Sequence, residues 1–301
     1  MIISQKNMIG ITDHSITKNN MEKEPITVLL ASPSYDGRFD VRFMDSLLNT
    51  VLLCKEHNIK ILPYFLCFDS LIQRARNDYF RTAYNTGVDV LFFIDSDIGW
   101  NPPDFIKLVL SSHHMIGGTY RKKTDAEELY AFKALGGENN SDFKILPDQD
   151  GLMRVAGLGF GFLKLSKHCV KVLFENEPNY YVDNLESPNG PRVTKNICEC
   201  VINKDNNFVS EDIIVGYKWM NMGGEVVLDT KIDLVHVGNK EYVGSVQNWL
   251  SDWRKKFEKE SKTSTQQNSI ISKYFVDPWP HPEDLVKQEK PITTDDLFKV
   301  L

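Results

Sequence analysis

A chain of 301 residues with 42% hydrophobic and 25% charged residues carries enough apolar material to bury a core, in one large domain or two small ones. Its formal net charge of −6 leaves no basic surplus to neutralise phosphates, which excludes a general nucleic-acid binder. Five irregularly spaced cysteines exclude a disulfide framework, and no stretch approaches the ~20 apolar residues of a membrane span. The amino terminus lacks a basic-then-apolar secretory pattern, so the expectation is a soluble, cytoplasmic protein in a reducing compartment. Cys198-Glu199-Cys200 reads as two free thiols, because the spacing is too short for a zinc knuckle.

In chain order, residues 1–24 show no sustained period and read as a loosely held arm. Residues 26–31 form a first buried strand ending in the turn-rich loop Ser32-Pro33-Ser34-Tyr35-Asp36-Gly37, where a ligand could sit. Apolar residues at helical spacing predict a helix over 43–57, and a second strand follows over 59–68, with Pro63 disturbing its centre. Asp69 or Ser70 can cap a helix over 71–85, which Gly87 terminates. Val90-Leu91-Phe92-Phe93-Ile94 is an unbroken apolar run, the pattern of a strand buried on both faces. Pro102-Pro103-Asp104 starts a helix through 110, and 113–120 reads as a short strand. Strand and helix thus alternate four times, the signature of a parallel, Rossmann-like sheet.

The remainder is less regular. Residues 130–135 and 153–165 read as strands, the latter interrupted by Gly157, Gly159 and Gly161. Ser166 caps a helix through 174, and 176–209 reads as a long loop over the sheet. Ser210-Glu211-Asp212 opens a helix to about 222, closed by Gly223-Gly224 and followed by strands over 225–229 and 232–237. From 245 the chain is helical and charged, with Trp249, Leu250, Trp253 and Phe257 at helical spacing, and then proline-rich. The expected division is an arm over 1–24, a catalytic domain over 25–244 and a helical extension over 245–301.

Chemistry concentrates where the buried strand ends, in Asp95-Ser96-Asp97. Two carboxylates about 7 Å apart along extended backbone repel one another, and a cation or a set of donors relieves that repulsion. The reading is a divalent metal holding a nucleotide diphosphate. Hard oxygen ligands suit Mg2+ and Mn2+, and one imidazole shifts the preference towards Mn2+. Asp97 and His236 supply that mixture if the fold unites them. Asp95, one step inside, is placed either as a further ligand or as an acceptor for ribose hydroxyls.

The ordered set Ile94-Asp95-Ser96-Asp97-Ile98, Gly117-Gly118-Thr119-Tyr120-Arg121-Lys122-Lys123, Gly157-Leu158-Gly159-Phe160, Ser210-Glu211-Asp212 and His236-Val237-Gly238 resembles a GT-A glycosyltransferase. It is most similar to the compact glycosyltransferases of large DNA viruses and phages, in which Leu71-Ile72-Gln73-Arg74-Ala75-Arg76-Asn77 also has a counterpart. The resemblance covers about 26–240. It implies a mostly parallel central sheet flanked by helices, a nucleoside-diphosphate-sugar donor (UDP-sugar favoured), and a glycan, protein or small-molecule acceptor. It also implies Mn2+ or Mg2+ as cofactor, and host cytoplasm for a viral member.

By the same resemblance, Ser34, Tyr35 and Asp36 touch the base and ribose, Asp95 binds the ribose, and Ser96 is counted with the donor-binding residues. Asp97 and His236 hold the metal, Gly118 and Tyr120 line the donor-sugar pocket, and Arg76 and Lys123 contact phosphate. Asp212, with Glu211 as second choice, takes the acceptor proton in an inverting reaction. Both acids also suit the first turn of a helix, where they stabilise it by ~0.3–1 kcal/mol in any case. Two rival functions share the fold: a sugar nucleotidyltransferase, for which the 32–38 loop is poor in glycine and basic residues, and a non-catalytic carbohydrate- or protein-binding module. The terminal apolar stripe packs on the catalytic domain, or forms a homodimer contact or an acceptor-site lid.

Overall fold

The computed structural model describes residues 24–135, 147–182, 192–203 and 206–260. The expected arm before residue 24, parts of the 176–209 segment and the chain beyond 260 lie outside the described residues. The first half comprises β1 (Ile26–Ser34), α1 (Val41–Glu56), β2 (Ile59–Cys67), α2 (Ile72–Thr86), β3 (Val90–Ile94), β4 (Ile98–Gly99), α3 (Pro102–Leu110), β5 (Met115–Gly117) and β6 (Phe132–Ala134). Next come β7 (Leu152–Leu158), β8 (Phe162–Ser166), α4 (Lys167–Asn176), β9 (Asn179–Tyr181), β10 (Val193–Lys195), β11 (Val201–Ile202) and β12 (Phe208–Val209). The chain closes with α5 (Glu211–Asn221), β13 (Val226–Asp229), β14 (Val235–Val237), β15 (Glu241–Tyr242) and α6 (Val246–Glu260).

The main sheet has the order β2-β1-β3-β8-β5-β13-β7-β6. Its pairings send β2, β1, β3, β5, β13 and β6 in one direction and β8 and β7 in the other, so the sheet is mixed but mostly parallel. β3 is buried along its whole length, as its uninterrupted apolar run requires. Leu91 and Phe93 enter the core shared with α2, α4, α5 and α6, while Val90, Phe92 and Ile94 enter the one shared with α1 and α3. Each such side chain taken from water contributes roughly 1.5–3 kcal/mol, which fixes the strand that carries the two aspartates.

From β1 the chain runs outward to β2, then returns to β3 on the other side of β1. That reversal leaves a crevice at the carboxyl ends of β1 and β3, the usual place for a ligand in such sheets. A second sheet, β15-β14-β4, lies across this end. It exists because Ile98 and Gly99 extend the chain past the Asp-Ser-Asp turn and pair with His236 and Val235.

Local departures from the sequence expectations have local causes. The expected 153–165 strand is two strands, β7 and β8, which leave the Gly159-Phe160-Gly161 turn for non-adjacent places in the sheet. The 113–120 strand shortens to Met115–Gly117. The described parts of 176–209 contain two small hairpins, β9 with β10 and β11 with β12, rather than loop alone. Leu71, not Asp69 or Ser70, is the N-cap of α2. The Asp69 carboxylate is drawn into a pair with Arg74 and accepts the Leu71 N–H instead. In α6, Val246 and Leu250 are buried in the core and Trp249 packs against Tyr130, the ring centroids 5.6 Å apart. The Phe257 side chain lies outside the described residues. No helix of the described residues is long and apolar enough to cross a membrane.

The approach of α5 to β7 decides where Glu211 and Asp212 stand. A Cβ on Gly216 would lie 2.4 Å from the Ala156 carbonyl oxygen and 2.9 Å from Gly157 Cα, backbone atoms that cannot swing aside. Gly216→Ala is therefore expected to lower stability by about 1–3 kcal/mol through overpacking. This holds although alanine is the better helix former by ~1 kcal/mol. Urea unfolding checks it, and an unchanged or raised midpoint would refute the close packing.

Candidate active site

Four backbone hydrogen bonds fix the Asp-Ser-Asp turn. Asp95 N–H donates to Gly161 O at 3.3 Å, Asp40 N–H to Ser96 O at 2.9 Å, Ile98 N–H to Asp95 O at 3.1 Å and Val237 N–H to Asp97 O at 2.9 Å. Strand β3, the N-cap of α1, the glycine turn and β14 thus all hold the same turn. Because His236 is registered opposite Ile98, its ring arrives next to Asp97. His236 Nε2 is 3.7 Å from Asp97 Oδ2, and Lys123 Nζ is 2.5 Å from the same oxygen.

Burial pushes the Asp97 carboxyl up, but His236 and Lys123 beside it outweigh that, and the group is held below the ordinary carboxylate range. Asp95 is the opposite case. Burial pushes its carboxyl up, the neighbouring Asp97 and Asp212 charges add to that, and Arg76 only partly compensates. The two aspartates of one motif are thereby made chemically unlike.

Arg76 on α2 is 6% exposed at its side chain and forks between Asp95, at 3.3 Å, and Glu211. Its guanidinium also lies 4.8 Å from the Phe160 ring centroid. The residue expected at phosphate thus engages two carboxylates. The next residue, Asn77, accepts the N–H groups of Ile197 and Cys198 and so ties the 196–200 segment to α2.

The two acids at the start of α5 are therefore not equivalent. Glu211 is held by Arg76, with the Cys200 thiol 3.8 Å away. Asp212 Oδ1 accepts from Ser210 Oγ at 2.5 Å and from Ile213 N–H at 2.8 Å. Ser210 is the N-cap as expected, but its hydroxyl serves this carboxylate and makes no cap bond. The Asp212 charge acts on Asp95, Arg76 and Tyr120, so the acid stands near all three.

Tyr120 connects the glycine turn to the histidine. Its ring is 4.8 Å from that of His236, and a Cβ on Gly161 would lie 2.4 Å from it. Burial, with the Asp95 and Asp212 charges, raises its phenol well above the usual range, so it stays protonated. Gly118 is packed on Ile232, where a Cβ would come within 2.7 Å. At the end of β1, Ser34 Oγ donates to Arg38 O at 2.7 Å and Asp36 accepts the Arg38 N–H at 3.0 Å. Tyr35 is 73% exposed there. Beside it stands Phe68, 77% exposed with φ of 65°, its ring against Gly37. The sequence expectations passed over Phe68, and nothing in its local pattern marks it.

The donor set suits a divalent cation only in part. A carboxylate oxygen and an imidazole nitrogen converge, but among the described residues no group of three or more His, Cys, Asp or Glu side chains could hold a metal ion. Two protein ligands fit a cation that substrate phosphates and water complete, the pattern common for Mg2+. Away from the aspartates, a cavity of about 420 Å³ lined by His113, His114, His168 and Trp219 sits at the opposite ends of β5 and α5.

A mostly parallel sheet with helices on both faces and an Asp-x-Asp turn at its switch point is a Rossmann-like α/β fold. No protein-family model matches the chain. No curated protein matches it either. Among solved structures it is similar to A197 from STIV, at 14% identity and a TM-score of 0.44, over 73% of this chain and 89% of that one. It is also similar to GalNAc-T7 with UDP, GalNAc and Mn2+, at 10% identity and a TM-score of 0.36, over 72% of this chain and 44% of that one.

Proposed function

We propose that the chain is a glycosyltransferase that moves a sugar from a nucleoside diphosphate to an acceptor hydroxyl with inversion. The observation that carries this is the meeting of Asp97 and His236, from distant parts of the chain, at the crevice between β1 and β3. Asp97 and His236 would hold Mn2+ or Mg2+, which when bound neutralises charge on the departing diphosphate. Tyr35 and Phe68 offer exposed rings to the base, Ser34, Asp36 and Ser96 line its surroundings, and Asp95 accepts from the ribose. Gly118 and Tyr120 border the sugar.

Asp212 is the general base. Its Oδ1 is occupied by Ser210 and the backbone, which orients the carboxylate and leaves Oδ2 for the proton of the attacking hydroxyl. Glu211 is the weaker candidate, because Arg76 already occupies it.

Incubation with a panel of UDP- and GDP-sugars plus Mn2+, with nucleotide release and product measured by chromatography, tests the reading. Asp212→Asn is expected to lower kcat by about 10²–10⁴-fold with little change in donor KM, the range for loss of a general base. A folded protein without turnover on any donor would favour the non-catalytic binding module instead. Nucleotide triphosphate consumption would favour the nucleotidyltransferase.

A further inference from the structure

The place beside Asp97 that a cation would take is contested within the protein itself. His236 Nδ1 lies 2.9 Å from the Arg121 carbonyl oxygen, which only accepts, so Nδ1 carries the hydrogen. His236 Nε2 faces Asp97 Oδ2 at 3.7 Å, beyond the reach of a direct hydrogen bond, so the carboxylate takes its bonded positive partner from elsewhere. Lys123 provides it at 2.5 Å.

Several features seat the lysine there. Its loop is closed by the Arg121–Tyr130 bridge and by the Lys122 N–H bond to Leu129 O at 2.7 Å. Its stem runs along Gly238, where a Cβ would come within 3.0 Å of Cδ and 3.4 Å of Cε. The Lys123 side chain is nevertheless 36% exposed, so the ammonium has a way out of the pair.

We propose that Lys123 is a built-in counter-cation of the Asp97–His236 pair, which a divalent ion must displace and which then turns to the donor's diphosphate. This rests on the cation reading of the site given above. The free protein then binds the ion weakly, and donor diphosphate strengthens that binding by giving the displaced ammonium a new partner. The two ligands help each other through one side chain, a coupling of the kind that typically amounts to about 5–150-fold.

The test is direct Mn2+ binding to the full chain, measured from the electron paramagnetic resonance signal of free Mn2+ with and without UDP. Wild type, Lys123→Met, Lys123→Arg and Asp97→Asn are compared, each checked for folding by thermal melting. Without UDP, Lys123→Met is expected to bind Mn2+ about three- to fivefold tighter than wild type, the range an exposed ion pair allows, with Lys123→Arg close to wild type and Asp97→Asn without binding. UDP should tighten Mn2+ binding in wild type and much less in Lys123→Met. Equal affinities in wild type and Lys123→Met, with binding lost in Asp97→Asn, would overturn the counter-cation and leave the metal site standing. No Mn2+ binding by any folded variant, even with UDP, would remove the metal site and the counter-cation together.

Discussion

Asp97→Ala is expected to reduce kcat/KM for the sugar donor by about 10²–10³-fold or more and to abolish the response to Mn2+, while the protein stays folded. Neutralising charge on a leaving diphosphate contributes several kcal/mol to the transition state, and 3–4 kcal/mol corresponds to that range of rate. The fold survives because the turn is held by backbone atoms that alanine retains, among them the carbonyl that accepts from Val237 N–H. The lost ion pair with Lys123 is one-third exposed on both sides and worth at most about 1 kcal/mol. Steady-state kinetics beside a thermal melt separate the two effects. Retention of more than a tenth of the wild-type rate would remove Asp97 from the chemistry.

The second large effect belongs to Arg76. Arg76→Met would leave Asp95 and Glu211 without their shared cation in a site where the guanidinium is only 6% exposed. Breaking a buried pair from one side is expected to lower stability by about 3–5 kcal/mol. Arg76→Lys should recover only part of this, because an ammonium cannot fork between two carboxylates as a guanidinium does.

The loss should also depend on pH with a definite sign. Asp95 already sits above the ordinary carboxylate range because of burial, and removing Arg76 takes away the charge that holds it down. Above the unfolded carboxylate value of ~4, the native variant then binds more protons than its unfolded chain, so its stability falls as pH rises. Denaturant midpoints at pH 5 and pH 8 should show the gap to wild type widening at the higher pH. A gap independent of pH would show that Asp95 is not the group left exposed to the loss.

Much of the scaffold could be read from residues alone, because local rules govern it. The five apolar residues before Asp95 form β3, and Pro102-Pro103 opens α3. The antiparallel strand β8 inserted between β3 and β5 could not be read, since insertion is a choice among sheet partners and leaves the alternation of residues unchanged. In the site, the aspartates, the acid pair and the histidine stand out by type and order. Their pairing does not: that Arg76 reaches Glu211 depends on helix packing, and that Lys123 reaches Asp97 depends on the closure of a loop. Phe68 carries no local signal, because its left-handed backbone is set by the turn against Gly37.

The β4–β14 pairing has a consequence for how the protein is made. Strand β3 and its aspartates leave the ribosome well before β14 exists, so a nascent chain presents Asp97 without the imidazole that completes it. On the proposed cation reading, metal scavenging by a half-synthesised chain would thereby be weak, and the ion would be captured only once β14 docks. From then on, any ion or diphosphate that prefers the docked form would stabilise it by mass action, so a ligand of the crevice would also hold the β4–β14 pairing together.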